Sequence, residues 1–276
     1  MCIEDQTQLD QKQERLDSIL KNYKSLGVAF SGGVDSTLLL AAAQRQLGDK
    51  VVAFTAESPV NPSGEKEAAV EIARALGVRH VLFSSHEMDD PEFRGNPINR
   101  CYHCKTVLFK TMWAEAKALG IQSLAHGANM DDLSDYRPGF KAAQEMGIDA
   151  PLNEAGLTKA DIRGLAKRLG LSNWDRPAMA CLASRIPYGT PIDTATLSRI
   201  DKAEHFIRGL GVAFCRVRAH GSVARIEIDQ LELTRFVESR TRQELVKKLR
   251  ELGFAHVALD LEGYSAGKMN RDLALE

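Results

Sequence analysis

Ser31-Gly32-Gly33-Val34-Asp35-Ser36 is the stretch on which the reading of this chain turns. The short apolar run Gly27–Phe30 stops directly before it, and Ser36–Leu47 after it has the spacing of a helix closed by Gly48. Strand, glycine turn and helix in immediate succession make an anion trap. Glycines let backbone N–H groups turn toward a phosphate, and the helix start adds the positive end of its dipole. Ser31 and Ser36 supply hydroxyl donors, whereas Asp35 repels a bare anion, so its expected partner is Mg²⁺ bridging phosphate oxygens. No GxxxxGK[ST] occurs and no lysine follows the glycines, so the loop is not a Walker A motif.

Strand-like and helical stretches alternate outward from this point. Leu9, Leu16, Ile19, Leu20 and Tyr23 give an opening helix over residues 1–22. Val51–Ala56, Arg79–Ser84 and Ser123–Gly127 read as further strands. Helices are expected from Asn61-Pro62 to Gly77, over Thr106–Leu119 and over Thr158–Leu169. This alternation predicts an α/β domain with a parallel sheet and helices on both faces. Gly127-Ala128-Asn129-Met130-Asp131-Asp132 follows the fourth strand, where loops face the ligand crevice. After Pro187-Tyr188-Gly189 the pattern changes. A helix over Asp193–Leu210, paired strands over Ala213–Arg218 and Val223–Ile228, a long helix over Leu231–Leu252 and a strand over His256–Leu261 make a smaller α+β unit. The expected domains are 1–187 and 188–276.

Composition narrows the classes. The chain has 276 residues, 44% of them hydrophobic and 26% charged, which are ordinary globular values. Lys+Arg 36 against Asp+Glu 37 leaves a net charge of −1, without the positive footprint of a dedicated nucleic-acid binder. No apolar run approaches the ~20 residues of a membrane span, and Met1-Cys2-Ile3-Glu4-Asp5 lacks the features of a signal peptide. The expectation is a soluble cytoplasmic protein with no membrane partner. Its five cysteines (Cys2, Cys101, Cys104, Cys181 and Cys215) are odd in number in a long chain with no expected export signal, so no disulfide framework is expected.

The loop resembles the PP-loop of the ATP pyrophosphatase superfamily, which implies cleavage of ATP at the α-phosphorus and AMP transfer to a substrate oxygen. Asn129 lies in the stretch that resembles the superfamily's later nucleotide-proximal loop. Four further stretches narrow this: Asp135-Tyr136-Arg137-Pro138-Gly139, Leu157–Arg163, Cys181-Leu182-Ala183-Ser184-Arg185-Ile186-Pro187-Tyr188-Gly189, and Gly263–Asn270 with its Gly-Lys-Met-Asn ending. With Arg216-Val217-Arg218 they resemble the LarE family of ATP-dependent sulfur-insertion enzymes of nickel-pincer cofactor biosynthesis. The resemblance implies a substrate, pyridinium biscarboxylic acid mononucleotide, whose carboxylates become thiocarboxylates. It also implies that Asp35 holds Mg²⁺, that Ser184 and Arg185 lie at the nucleotide and substrate phosphates, and that Arg216 and Arg218 pair with phosphate. Glu204 matches an acidic position that holds metal in that reading; solvated charge on a helix surface is the plainer one. For Arg216 and Arg218 the plainer reading is the exposed face of an edge strand. An upstream sulfide donor, a downstream nickel-insertion enzyme and a homo-oligomer are the further partners implied.

The resemblance divides on cysteine. Some members sacrifice the sulfur of one cysteine near the position of Cys181; others bind a [4Fe–4S] cluster through three. Cys101, Cys104 and Cys181 match the three-cysteine pattern, in which three thiolates hold three irons and leave the fourth open for sulfide. A structural zinc site with His103 as fourth ligand, a persulfide or disulfide pair, and sacrificial chemistry are the competing readings. Cys2 and Cys215 are expected bystanders. Among functions, a PP-loop tRNA thiolase, a non-enzymatic ATP-binding module and an amidating synthetase compete with sulfur insertion. The first requires salt-dependent RNA binding, the second ATP binding without pyrophosphate release, the third ammonia-dependent AMP formation.

Overall fold

Leu26 and Val28 are fully buried and Phe30 nearly so, which places the strand before the serine-glycine loop in the middle of a sheet. The computed structural model describes residues 3–134, 138–177, 179–265 and 268. Cys2, Asp135-Tyr136-Arg137 and all of 266–270 except Lys268 lie outside the described residues.

The chain divides into two compact units. The first takes its described residues from 1–58, 64–93 and 99–179. Its elements are α1 (Ile3–Lys21), β1 (Leu26–Ala29), α2 (Val34–Leu47), β2 (Val51–Glu57), α3 (Glu65–Ala75), β3 (Arg79–Ser84), α4 (Pro91–Arg94, whose last residue belongs to the second unit), α5 (Arg100–Ala118), β4 (Ser123–His126), α6 (Pro138–Glu145), β5 (Ile148–Asp149), α7 (Pro151–Glu154) and α8 (Lys159–Arg168). The sheet order is β3-β2-β1-β4-β5 and all four pairings are parallel, with Leu26 opposite Val51 on one side and Ser123 on the other. The predicted parallel α/β architecture is therefore present. The order reverses at β1, the switch point where ligands bind beyond the strand ends. Leu38, Leu39 and Leu40 of α2 pack with Leu16 and Leu20 of α1 and Leu165 of α8 in one core. Phe54, Phe109, Met112 and Leu124 form a second.

Two helices begin earlier than their sequence pattern suggests. α2 starts at Val34, so Asp35 and Ser36 lie in its first turn. α5 starts at Arg100, so Cys101 and Cys104 are helical. The expected Asn61 helix start is displaced to Glu65, because residues 59–63 pack into the second unit.

That second unit comprises the described residues of 59–63, 94–98 and 180–276. It contains α9 (Thr194–Gly209), β6 (Cys215–His220), β7 (Val223–Ile228), α10 (Leu233–Val237), α11 (Ser239–Glu251) and β8 (His256–Leu259). β6 and β7 pair antiparallel and β8 joins β7 in parallel. The single long helix expected over Leu231–Leu252 is broken at Glu238, whose ψ of 141° is extended. The division expected at 187/188 also moves. The stretch 181–187 packs with the second unit, where Leu182 N–H donates to the Val60 carbonyl at 2.7 Å and the Asn96 amide donates to the Pro187 carbonyl at 2.7 Å. No helix among the described residues is long and apolar enough to cross a membrane.

Candidate functional site

The serine-glycine loop is held by its own groups. Ser36 Oγ donates to the Gly33 carbonyl at 3.1 Å, Gly33 N–H donates to Ser31 Oγ at 3.3 Å, and the two hydroxyls lie 3.2 Å apart. Gly32 has φ +72°, and a Cβ there would meet Ala69 of α3 at 3.3 Å. Gly127 approaches the loop from β4; a Cβ on it would stand 2.9 Å from Ser36 N. Both positions require glycine, one for its backbone angle and the other for its lack of volume. Asn173, absent from any motif in the sequence, fixes the loop by donating to the Gly32 carbonyl at 2.8 Å and to Thr37 Oγ1 at 2.9 Å.

Asp35 is partly exposed and faces two partners. Asn129 Nδ2 donates to its Oδ1 at 3.3 Å, which joins the two loops expected to meet the nucleotide. The second partner is Lys159 Nζ, in a close ion pair with Oδ2. Lys159 opens α8 behind the Thr158 N-cap, whose side chain and Asp161 form a capping box. Its backbone N–H donates to Asp131 Oδ2 at 2.7 Å. Lys159 therefore occupies with positive charge the carboxylate expected to meet a cation, and Mg²⁺ at Asp35 would exchange with it. Sequence reading placed Lys159 inside a family-like stretch without a role. Its partner lies 124 residues away, beyond any local signal. At the end of β4, His126 is packed between Phe109 and Phe140. Burial, helped by nearby Lys105, pushes its pKa down to about 4, so the ring is neutral at physiological pH.

In the second unit three of the expected phosphate and metal residues, Arg185, Glu204 and Arg218, are held in buried ion pairs. Glu204 is not on a surface; it and Arg185 are both fully buried. Arg185 Nε donates to Glu204 Oε1 at 2.9 Å and Nη2 to Oε2 at 3.0 Å. Nη1 donates to the carbonyls of Ala180 and, at 2.7 Å, Cys181. Arg218 makes the same two-pronged contact with buried Glu227, at 3.0 and 2.8 Å, and its Nη1 donates to the Ser184 carbonyl at 2.8 Å. Arg216 and Arg218 thus lie on an edge strand yet are buried, contrary to the exposed reading. The Arg216 guanidinium stacks 4.1 Å from the Phe214 ring and 5.6 Å from that of Tyr264. Burial first, then repulsion from Arg185, lowers its pKa to about 10, and it remains a cation at neutral pH.

None of Cys101, Cys104, Cys181 and Cys215 is in a disulfide. Cys101 and Cys104 stand three residues apart in the first turns of α5, hence on one face. Cys181 belongs to the second unit, N-terminal to the short 3₁₀ turn Leu182–Arg185, and is half-buried. Cys215 is buried with its pKa pushed up to about 12 by desolvation, so it stays a thiol and is a poor nucleophile. No group of three histidine, cysteine or carboxylate side chains able to hold a metal is assembled among the described residues. His103 instead lies 3.2 Å from the Asn99 amide.

The asparagine synthase family matches residues 15–94, the stretch that contains the loop. The uncharacterized Synechocystis sp. protein slr1717 is 43% identical over 96% of this chain and 99% of its own. Pyridinium-3,5-bisthiocarboxylic acid mononucleotide synthase of Lactiplantibacillus plantarum is 35% identical over 95% of both chains. Argininosuccinate synthase of Haloarcula marismortui is 28% identical over 49% of this chain and 34% of its own. Whole-length similarity to the synthase, with a PP-loop at the switch point of a parallel sheet, shows that this chain belongs to the LarE family of ATP-dependent sulfur-transferring enzymes.

Proposed function

We propose that the protein adenylates a carboxylate of pyridinium biscarboxylic acid mononucleotide and replaces the AMP with sulfur, supplying thiocarboxylate for nickel-pincer cofactor biosynthesis. The observation that carries this reading is the organised Ser31–Ser36 loop in a chain similar throughout to a bisthiocarboxylic acid mononucleotide synthase. A substrate carboxylate oxygen bonds to the α-phosphorus of ATP, and the bond to the β,γ-pyrophosphate breaks. The Gly32 and Gly33 amides, the Ser31 and Ser36 hydroxyls and the start of α2 would receive the pyrophosphate charge. Asp35 would hold Mg²⁺ on the phosphates, and Lys159, displaced from it, would turn its ammonium to the same oxygens. A sulfur nucleophile then attacks the activated carbonyl carbon, and AMP departs with the C–O electron pair. Arg216, its charge carried against an aromatic face, would meet the phosphate of the mononucleotide.

Cys101, Cys104 and Cys181 would hold a [4Fe–4S] cluster, which when bound supplies an iron open to additional sulfide. The donor set suits the group: three cysteines outside any disulfide, two of them one helical turn apart. A homo-oligomer, an upstream sulfide source and a nickel-inserting enzyme downstream complete the scheme.

The test is anaerobic incubation with ATP, Mg²⁺, sulfide and the mononucleotide, with mass spectrometry of small molecules and protein. AMP, pyrophosphate and thiocarboxylate are expected, with the protein mass unchanged over several turnovers. Asp35→Ala should abolish Mg²⁺-dependent pyrophosphate release while the protein still folds. ADP and phosphate as products would overturn the adenylation step. Loss of H₂S mass from Cys181 would replace the cluster by a sacrificed cysteine, and sulfur on tRNA instead of the mononucleotide would move the substrate to RNA.

A further inference from the structure

Arg185 and Glu204 do more in this fold than pair. The Cys181 carbonyl accepts from three donors: Ser184 N–H at 3.0 Å, Ser184 Oγ at 2.7 Å and Arg185 Nη1 at 2.7 Å. The carbonyl before it, on Ala180, also accepts from Arg185 Nη1. The amide after it, on Leu182, donates to the Val60 carbonyl at 2.7 Å. Peptide groups on both sides of Cys181 are therefore fixed, although the residue is only partly buried. The anchor is Glu204. It fixes Arg185 from two directions, and its Oε1 also accepts the Val217 N–H of β6 at 3.0 Å. Arg208, one turn further along α9, lies 3.6 Å from Glu204 Oε2 and adds cationic support. The connection runs from α9 and β6, through two fully buried side chains, to the backbone of one cysteine.

We infer that Arg185 and Glu204 are positioning residues that fix the direction of the Cys181 thiol, with every nitrogen of the guanidinium engaged inside the protein. The inference rests on the reading of Cys181 as a sulfur-chemistry residue for its use, but not for its test. A thiol on a mobile loop samples many directions; one between clamped peptide groups can be shared with an iron or a substrate without an ordering cost at each turnover. Burying a charge pair is a poor way to gain stability, and the backbone it fixes here is that of Cys181.

The experiment measures iodoacetamide labelling of each cysteine by peptide mass spectrometry on the full-length protein without iron. Glu204→Ala and Arg185→Met should raise the Cys181 labelling rate about tenfold relative to Cys101 and Cys104 in the same sample, as local opening frees the loop. Glu204→Gln, whose one amide oxygen can still accept from Arg185 Nε and the Val217 N–H but which loses the acceptor for Arg185 Nη2, should restore part of the protection. If a single variant unfolds, all cysteines including Cys215 will label together. The double variant Arg185→Met with Glu204→Leu, which removes both charges at similar volume, then decides the matter. In that folded double variant, wild-type labelling of Cys181 would overturn the inference. So would rapid hydrogen exchange of the Leu182 and Ser184 amides in the unmodified protein, because both are bonded in the clamp. Failure of Cys181→Ala to stop thiocarboxylate formation would instead refute the proposed use of Cys181 and leave the clamp standing.

Discussion

Asp35 and its partner Lys159 keep 23% and 30% of their side chains exposed, whereas Arg185 and Glu204 keep none. The first pair sits at the mouth of a loop whose hydroxyls bond to one another; the second is enclosed behind the Cys181 backbone. A partly hydrated ion pair contributes little to folding and exchanges partners at little cost. A dry, two-pronged pair resists change because either partner left alone is an uncompensated charge. The first unit places exchangeable charge where the proposed nucleotide, with its own charges, would enter. The second uses charge as a rigid strut.

That contrast can be broken at several points. The largest stability effect should come from Glu227→Ala, which strands buried Arg218 and should cost about 3–5 kcal/mol in denaturant unfolding. A loss below 1 kcal/mol would mean that water reaches the pair and that the strut description is wrong. Next is pH. His126 has an ordinary pKa near 6.5 when unfolded and about 4 when folded. Its contribution is thus fully present above pH ~6.5 and is lost as the pH falls toward 4, by about 3 kcal/mol. His126→Gln should remove that part of the acid slope, and an unchanged slope would exclude His126 as its source. Gly127→Ala should cost about 1–3 kcal/mol by pressing a methyl group onto the Ser36 backbone, and should weaken ATP binding with it. Tight ATP binding despite destabilisation would detach the β4 approach from the loop's function. Smallest in stability, Lys159→Ala should cost at most about 1 kcal/mol, yet slow pyrophosphate release at least tenfold. A large loss of stability with normal pyrophosphate release would reverse the assignment and make Lys159 the strut.

The parts of the molecule legible in sequence were those whose signal is local. The serine-glycine loop lies between an apolar run and a helical pattern, and its identity survives intact in the fold. Cys101 and Cys104 were legible as a pair but not as helical, because the apolar periodicity of α5 begins only near Thr106. Lys159 and Asn173 meet the loop from 124 and 136 residues away, and neither residue type announces such a contact. Arg185, Glu204, Arg216 and Arg218 were legible as chemically important, yet charged side chains suggest solvent or ligand. Only the packing of α9, β6 and the 182–185 turn reveals that three of them, Arg185, Glu204 and Arg218, are spoken for within the protein.

The second unit draws segments 59–63 and 94–98 from the earlier part of the chain. In a cell these pieces leave the ribosome long before residues 180–276 exist, and must wait without their neighbours while the first unit closes around the connections. The same threading bears on gene shuffling. No single cut separates the two units, so the C-terminal unit cannot pass to another protein as a cassette without leaving part of its own floor behind.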